Sequence, residues 1–298
     1  PRPRPPTDMT HTYGDCHGAL CPRAGKPRPY HTESPHMTNT YPSSPSPWHP
    51  YRLVQPKDRP DYDDLVDGVA RASWPEFMLH DPVAGRRWDD LFERFADFQF
   101  ALLAPDEDLL IGMGNSVPLA WTGDLADLPE EGWDWVLEQA VADHQAGRTP
   151  TLQCALQIAL PPASQGQGVS RLMVQAMRAI GVSHGFSQLI APVRPNHKSR
   201  YPLANIDRYV EWTTTEGLPF DPWLRVHARL DARIVKVCHQ AMHIPGSIAQ
   251  WEQWTGLRFP DSGPYIVPGA LNPVDFDAEQ GVYVEPNVWM VHELGPPA

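Results

Sequence analysis

Between residues 151 and 183 the hydrophobic pattern changes period once. Leu152, Cys154, Leu156, Ile158 and Leu160 alternate with polar positions that include Gln153 and Gln157. That two-residue period belongs to a strand with one face turned inward. Val169, Leu172, Met173, Ala176, Met177 and Ile180 then recur at the three- and four-residue steps of one helical face. The pattern predicts a strand over 151–160 and a helix over 168–183. The same reading gives strands at 51–55, 98–103, 109–113 and 187–193, and helices at 61–73 and 133–144. Trp88, Leu91, Phe92 and Phe95 form a further helical stripe. Pro105 to Asp108 reads as a hairpin turn, and Gly112, Gly114 and Pro118 as an interruption. In the tail, 232–237, 265–267, 281–285 and 288–291 read as strands and 247–254 as a helix. They are expected to complete a mixed sheet rather than to form a second domain.

The junction between the 151–160 strand and its helix carries Gln165, Gly166, Gln167, Gly168, Val169 and Ser170. Two glycines there leave bare backbone N–H groups above a helix N-terminus, a position that favours phosphate. A triphosphate loop needs Lys-Ser or Lys-Thr after its last glycine, and none follows. A dinucleotide fingerprint needs a third glycine where Arg171 stands, and an acidic residue about 20 positions on; residues 188–192 offer none. A plain tight turn is the alternative reading.

The run from Ile158 to Leu172 resembles the acyl-CoA motif of the GNAT acyltransferase superfamily: apolar strand, proline, Gln-Gly-x-Gly-Val, small residue, then a helix with an early leucine. Ser170 stands where the pattern has Gly or Ala. The order β-α-α-β-β-α-β-loop-α-β from residue 51 to Asn196 is also that of the family core. The resemblance implies an α+β fold with a central, mostly antiparallel twisted sheet, a splayed pair of cofactor strands, and flanking helices. It implies acetyl-CoA or another acyl-CoA as co-substrate. The backbone amides of Gln165 to Ser170 would cradle its diphosphate. Backbone at Ile158 and Leu160 would pair with the pantetheine arm, and Asn196 would contact that arm.

The implied reaction is transfer of the acyl group, acetyl by expectation, to a small-molecule amine by direct attack in a ternary complex. The family's tyrosine acid is replaced by Thr213, which leaves Tyr201 and Tyr209 as substitutes; either also reads as aromatic packing. The cofactor strand offers Gln153 and Gln157 where the family commonly has a carboxylate base. Asp124, Glu130, Glu131, His144 and His197 are the candidate bases, with His197 beside Asn196 the first choice. The acceptor pocket is expected from Gly114 to Pro118, Trp121, Trp133 and Trp135. Two other readings stay open: a non-catalytic CoA-binding or regulatory protein, and a CoA enzyme that acylates oxygen or decarboxylates a thioester.

The chain has 24 Lys and Arg against 36 Asp and Glu, a net charge of −12. Such a surface argues against nucleic acid and suits a cationic amine. Arg171, Arg178, Arg194, Lys198 and Arg200 either offset the field near the loop or are solvated surface. No apolar run approaches the roughly 18–20 residues of a membrane span. The four cysteines are too scattered for a disulfide framework, and no signal pattern opens the chain, so a cytoplasmic location is expected. Residues 1–48 are Pro-rich and poor in large aliphatics, and are expected to be a disordered leader, with Met37 a candidate start. Residues 49–298 are expected to form a single acyl-CoA-binding domain. His11, Cys16, His17 and Cys21 match no strong zinc spacing; no metal is expected, and a homodimer stays open.

Overall fold

In a computed structural model of the protein, residues 46–105 and 108–295 are described. The expected leader, up to residue 45, and part of the 105–108 turn lie outside them. The chain order is β1 (Arg52–Val54), α1 (Tyr62–Ala72), α2 (Pro82–Arg87), α3 (Asp90–Glu93), β2 (Gln99–Leu103), β3 (Leu110–Leu119), α4 (Gly132–Gln145), β4 (Leu152–Ala159), α5 (Val169–Ser183), β5 (Gln188–Val193), α6 (Ile206–Tyr209), α7 (Pro222–Ala228), β6 (Arg233–Ser247), α8 (Ile248–Thr255), β7 (Gly263–Tyr265), β8 (Val274–Phe276) and β9 (Gln280–Glu293). The nine strands among the described residues join one sheet, ordered β1-β2-β3-β4-β5-β9-β8-β7, with β6 also paired to β9. Every pairing is antiparallel except β4 with β5. The fold is therefore α+β, a mostly antiparallel mixed sheet flanked by helices, as the motif implied. No helix among the described residues is long and apolar enough to cross a membrane.

The single parallel pair shapes the site. β4 and β5 are in register only at Gln153 with Leu189 and Cys154 with Ile190. Past Cys154 the two strands part, and the β5-facing edge of β4 has no ladder partner. Helix α5 buries Met173, Ala176, Met177 and Ile180, the stripe read from the sequence.

Four expectations change. The 88–95 stripe is not one helix: α2 starts earlier, where the Asp81 carboxylate accepts from Ala84 N–H at 2.7 Å and Pro82 takes the first helical position. Strand β3 runs straight through Gly112, Gly114 and Pro118. The glycines make room: a Cβ on Gly112 would meet Leu160 Cδ2 at 2.6 Å, and one on Gly114 would overlap the Phe100 ring. The two tail strands 281–285 and 288–291 are one strand, β9, and 232–237 extends into the 15-residue β6.

The fourth change lies in β4. Asn115 on β3 pairs with Gln157, but Ser116 pairs with Ala155. Leu156 is thus an extra residue, a β-bulge that reverses the facing of everything after it. Gln153 and Gln157 consequently lie on opposite faces, not together, and both are buried. Gln153 shares its face with Ser116, to which it donates at 2.8 Å, and with Gly181 of α5. Gln157 shares the other face with Asn115.

Candidate acyl-CoA and acceptor site

The turn between β4 and α5 begins with a short 3-10 segment at Pro162–Ser164. Gly166 and Gly168 follow with φ of +74° and +78°, the left-handed region that glycine enters without steric cost. A Cβ on either would meet nothing within 4 Å, so the backbone faces open space. The Gln165 N–H bonds the Pro162 carbonyl at 3.3 Å, whereas the N–H groups of Gly166, Gln167, Gly168, Val169 and Ser170 have no acceptor among the described residues. No acidic residue occupies the first turn of α5, so the positive end of its dipole is unopposed. Five unpartnered donors on an open cradle fit a diphosphate. Gln165 Nε2 donates to the Leu160 carbonyl at 3.3 Å, fixing the end of β4 beside the gap between the strands.

The first turn of α4 ties the β4 bulge to β6. Trp133 Nε1 donates to the Leu156 carbonyl at 2.9 Å, which holds the bulge. The next residue, Asp134, accepts the His243 N–H of β6 at 3.1 Å through Oδ2. Its carboxyl group meets that of Asp81. Burial, then the Asp81 charge, pushes the Asp134 carboxyl up to about 8. Behind the pair lies Glu285, fully buried, which accepts from Arg194 Nε at 2.8 Å and from the Tyr283 hydroxyl at 3.0 Å. Burial raises the Glu285 carboxyl, and Arg194 opposes the rise.

The other sequence candidates scatter. Asn196 is exposed at the end of β5, and its backbone N–H, like that of His197, bonds the Asp221 carboxylate. Tyr201 is 39% exposed, in an aromatic group with Tyr209, Trp212 and Phe220. Tyr209 is buried with its hydroxyl on Asp221 at 2.9 Å, a structural role. Asp124 caps a 3-10 turn. Glu130 is tied to Lys236 and His239, each at 2.8 Å; burial works against them, yet they hold its carboxyl down to about 2. His144 packs edge-on to Phe95, and Glu131 is exposed. Trp121 and Trp135 pack edge-to-face, 5.6 Å apart.

Of the basic candidates, Arg194 and Lys198 turn toward the tail. Arg194 bonds the Gly269 carbonyl, and Lys198 the Leu271 carbonyl, each at 2.6 Å. Arg178 bonds the carbonyls of Leu230 and Glu293. Arg171 and Arg200 are exposed and form no ion pair among the described residues.

No family model matches the chain. It is 32% identical over 275 residues to arginine N-acetyltransferase avaD of Aspergillus versicolor, an alignment covering 82% of this chain and 94% of that protein. The chain belongs to the GNAT acyltransferase superfamily. Among solved structures, the loading GNATL domain of CurA from Lyngbya majuscula superposes with a TM-score of 0.55 at 17% identity, over 82% of this chain and 98% of that domain. It shows the same fold. An aminoglycoside 6'-N-acetyltransferase complexed with coenzyme A superposes with a TM-score of 0.43 at 14% identity, over 83% and 99%. This GNAT protein is an acyl-CoA-dependent N-acetyltransferase acting on an amine-bearing acceptor.

Proposed function

We infer that the protein acetylates a small cationic amine, arginine or a close analogue, by direct attack on acetyl-CoA in a ternary complex. The observation that carries the reading is the open Gly166–Gly168 cradle, with its unpartnered N–H groups, placed where β4 and β5 part. The relative's name supports arginine as acceptor, and the net charge of −12 suits a cation.

Acetyl-CoA brings an already activated thioester, so holding the amine in line does much of the work. The N–H groups of Gly166 to Ser170 bind the diphosphate, and Arg171 in the same turn adds charge. The unpaired edge of β4 at Ile158 and Leu160 orients the pantetheine arm, with the exposed Asn196 side chain beside it. A β4 backbone N–H in the gap serves as donor to the developing oxyanion. Tyr201, whose hydroxyl has no partner among the described residues, is the group through which the departing sulfur takes its proton.

Calorimetric titration with acetyl-CoA and CoA tests the cradle, with Gly168→Trp alongside. Binding by the wild type and its loss in a variant that still melts cooperatively are expected. Equal affinity in both would remove the loop from the site. Thiol release with arginine, agmatine, lysine and a neutral primary amine tests the acceptor; a neutral amine turned over faster than arginine would overturn the cationic assignment.

A further inference from the structure

The first turn of α4 ties β4 to β6. Trp133 is bonded to β4 and Asp134 to β6. The Asp134 Oδ1 and Asp81 Oδ2 atoms are shut off from solvent, and neither has an N–H or O–H donor among the described residues. Each carboxyl group instead meets the other. Two carboxylates in contact away from water cannot both be ionised, so one proton lies between them. Asp81 is 1% exposed and fixed by its bond from Ala84. Asp134 keeps partial exposure and is the member a substrate can reach.

A second, separate feature lies on the same face of the sheet. The bulge turns Gln157 onto the face it shares with Asn115, one residue beyond the Leu156 carbonyl that Trp133 holds. Gln157 is 6% exposed, and its Oε1 has no partner among the described residues. Gln157 Oε1 on the bulge and Asp134 Oδ1 on the first turn of α4 are thus two buried acceptor oxygens without donors among the described residues. None of the five candidate bases read from the sequence stands there.

We propose that Asp134 is the catalytic residue that takes the proton of the acceptor amine, with Asp81 as the positioning residue that tunes it. This role rests on the acetyl-transfer reading above. The acceptor ammonium gives one proton to the Asp134 carboxylate. The freed lone pair forms the N–C bond as the C–S bond breaks, and the second N–H proton ends on sulfur. Amide and thiol result, and Asp134 returns its proton to water.

The groups facing Asp134 set the direction of its pH response. From the start of α2 comes Asp81, itself acted on by Arg86, which is paired with Glu138 at 2.9 Å. From β9 comes Glu285, itself held by Tyr283 and by Arg194 at the end of β5, and from β6 the His243 backbone N–H. Below a pH of about 8 the Asp134 acid holds its proton and cannot accept another; above it, it can. Removing the Asp81 charge lowers that point.

The test measures kcat/KM against pH with acetyl-CoA and arginine for the full chain, Asp134→Asn and Asp81→Asn. Asp134→Asn is expected to lose roughly 100-fold or more in kcat/KM, with acetyl-CoA affinity unchanged by calorimetry. In Asp81→Asn the amide still caps α2. Activity should persist there with the rising limb of the profile moved to lower pH. An infrared carboxylic-acid band at pH 7, present in the wild type and absent from Asp134→Asn, reads the shared proton without turnover. Wild-type rates in Asp134→Asn, or an unmoved limb in Asp81→Asn, would overturn this role alone. Should Asp134→Asn fail to fold, the Asp81→Asn limb and the wild-type band still decide. A wild type that binds acetyl-CoA and acetylates no amine would overturn the functional reading and this role with it.

Discussion

The Trp133 indole N–H lies 2.9 Å from the Leu156 carbonyl, so a helix side chain completes the hydrogen bonding of a strand whose neighbour has turned away. Trp133→Phe keeps the ring and removes the donor. A buried carbonyl left without its donor costs about 1–3 kcal/mol. The melting temperature should fall by a few degrees, and kcat/KM should fall as the bulge loosens. An unchanged melt together with an unchanged rate would show the bond to be idle.

Gly168→Ala tests the cradle without bulk. The new methyl meets no atom within 4 Å, so any cost comes from the left-handed backbone alone, about 1 kcal/mol. A loop that relaxes to relieve this strain turns its N–H groups aside. We expect acetyl-CoA affinity, read by calorimetry, to fall about tenfold if one charge-assisted bond is lost. Gly85→Ala in α2, also in open space but at a helical φ, should be neutral or stabilising.

Burial above all makes the His227–His292 pair acid-sensitive. The rings are 2.9 Å apart, Nδ1 to Nε2. Desolvation first, then His292, holds His227 well below the ordinary histidine range. Desolvation first, then Arg178, brings His292 down to about 4. The unfolded chain therefore binds more protons than the folded one as pH falls below about 6.5. Stability should be fully present above that value and decline beneath it. In His227→Gln with His292→Gln, denaturant midpoints between pH 7 and 5 should change less than in the wild type.

Arg194→Met strips the counter-ion from a fully buried Glu285. Breaking such a pair typically costs about 3–5 kcal/mol, measurable by urea unfolding. Adding Glu285→Gln should recover part of the loss. Acetyl-CoA affinity should change little, because Arg194 points at Glu285 and Gly269 rather than at the cradle.

Local chemistry made part of this site readable. The Gly166 and Gly168 turn, the α5 stripe and the β4 strand depend on neighbours within about one turn, and each stands where the periodicity put it. The bulge does not announce itself, because Leu156 continues an unbroken alternation; only the pairing with β3 reveals the extra residue. Asp134 was hidden for a different reason. It sits among the polar positions of α4, and its burial comes from Asp81 and His243, far away along the chain. The Gly112 and Gly114 pair was misleading in the other sense, since glycines that admit Phe100 and Leu160 look locally like a break. Asp81 followed by Pro82 was a legible helix start that the stripe at Trp88 obscured.

Strand β9 follows the other strands along the described residues, yet it lies inside the sheet, against β5, β6 and β8. Until it leaves the ribosome, β5 has an open edge and Arg194 has no Glu285. The cofactor half of the protein thus waits, with an unpaired strand exposed, for β9 to be made. Cutting the chain before Gln280 would not trim an edge; it would remove the interior plank on which both halves of the sheet are nailed.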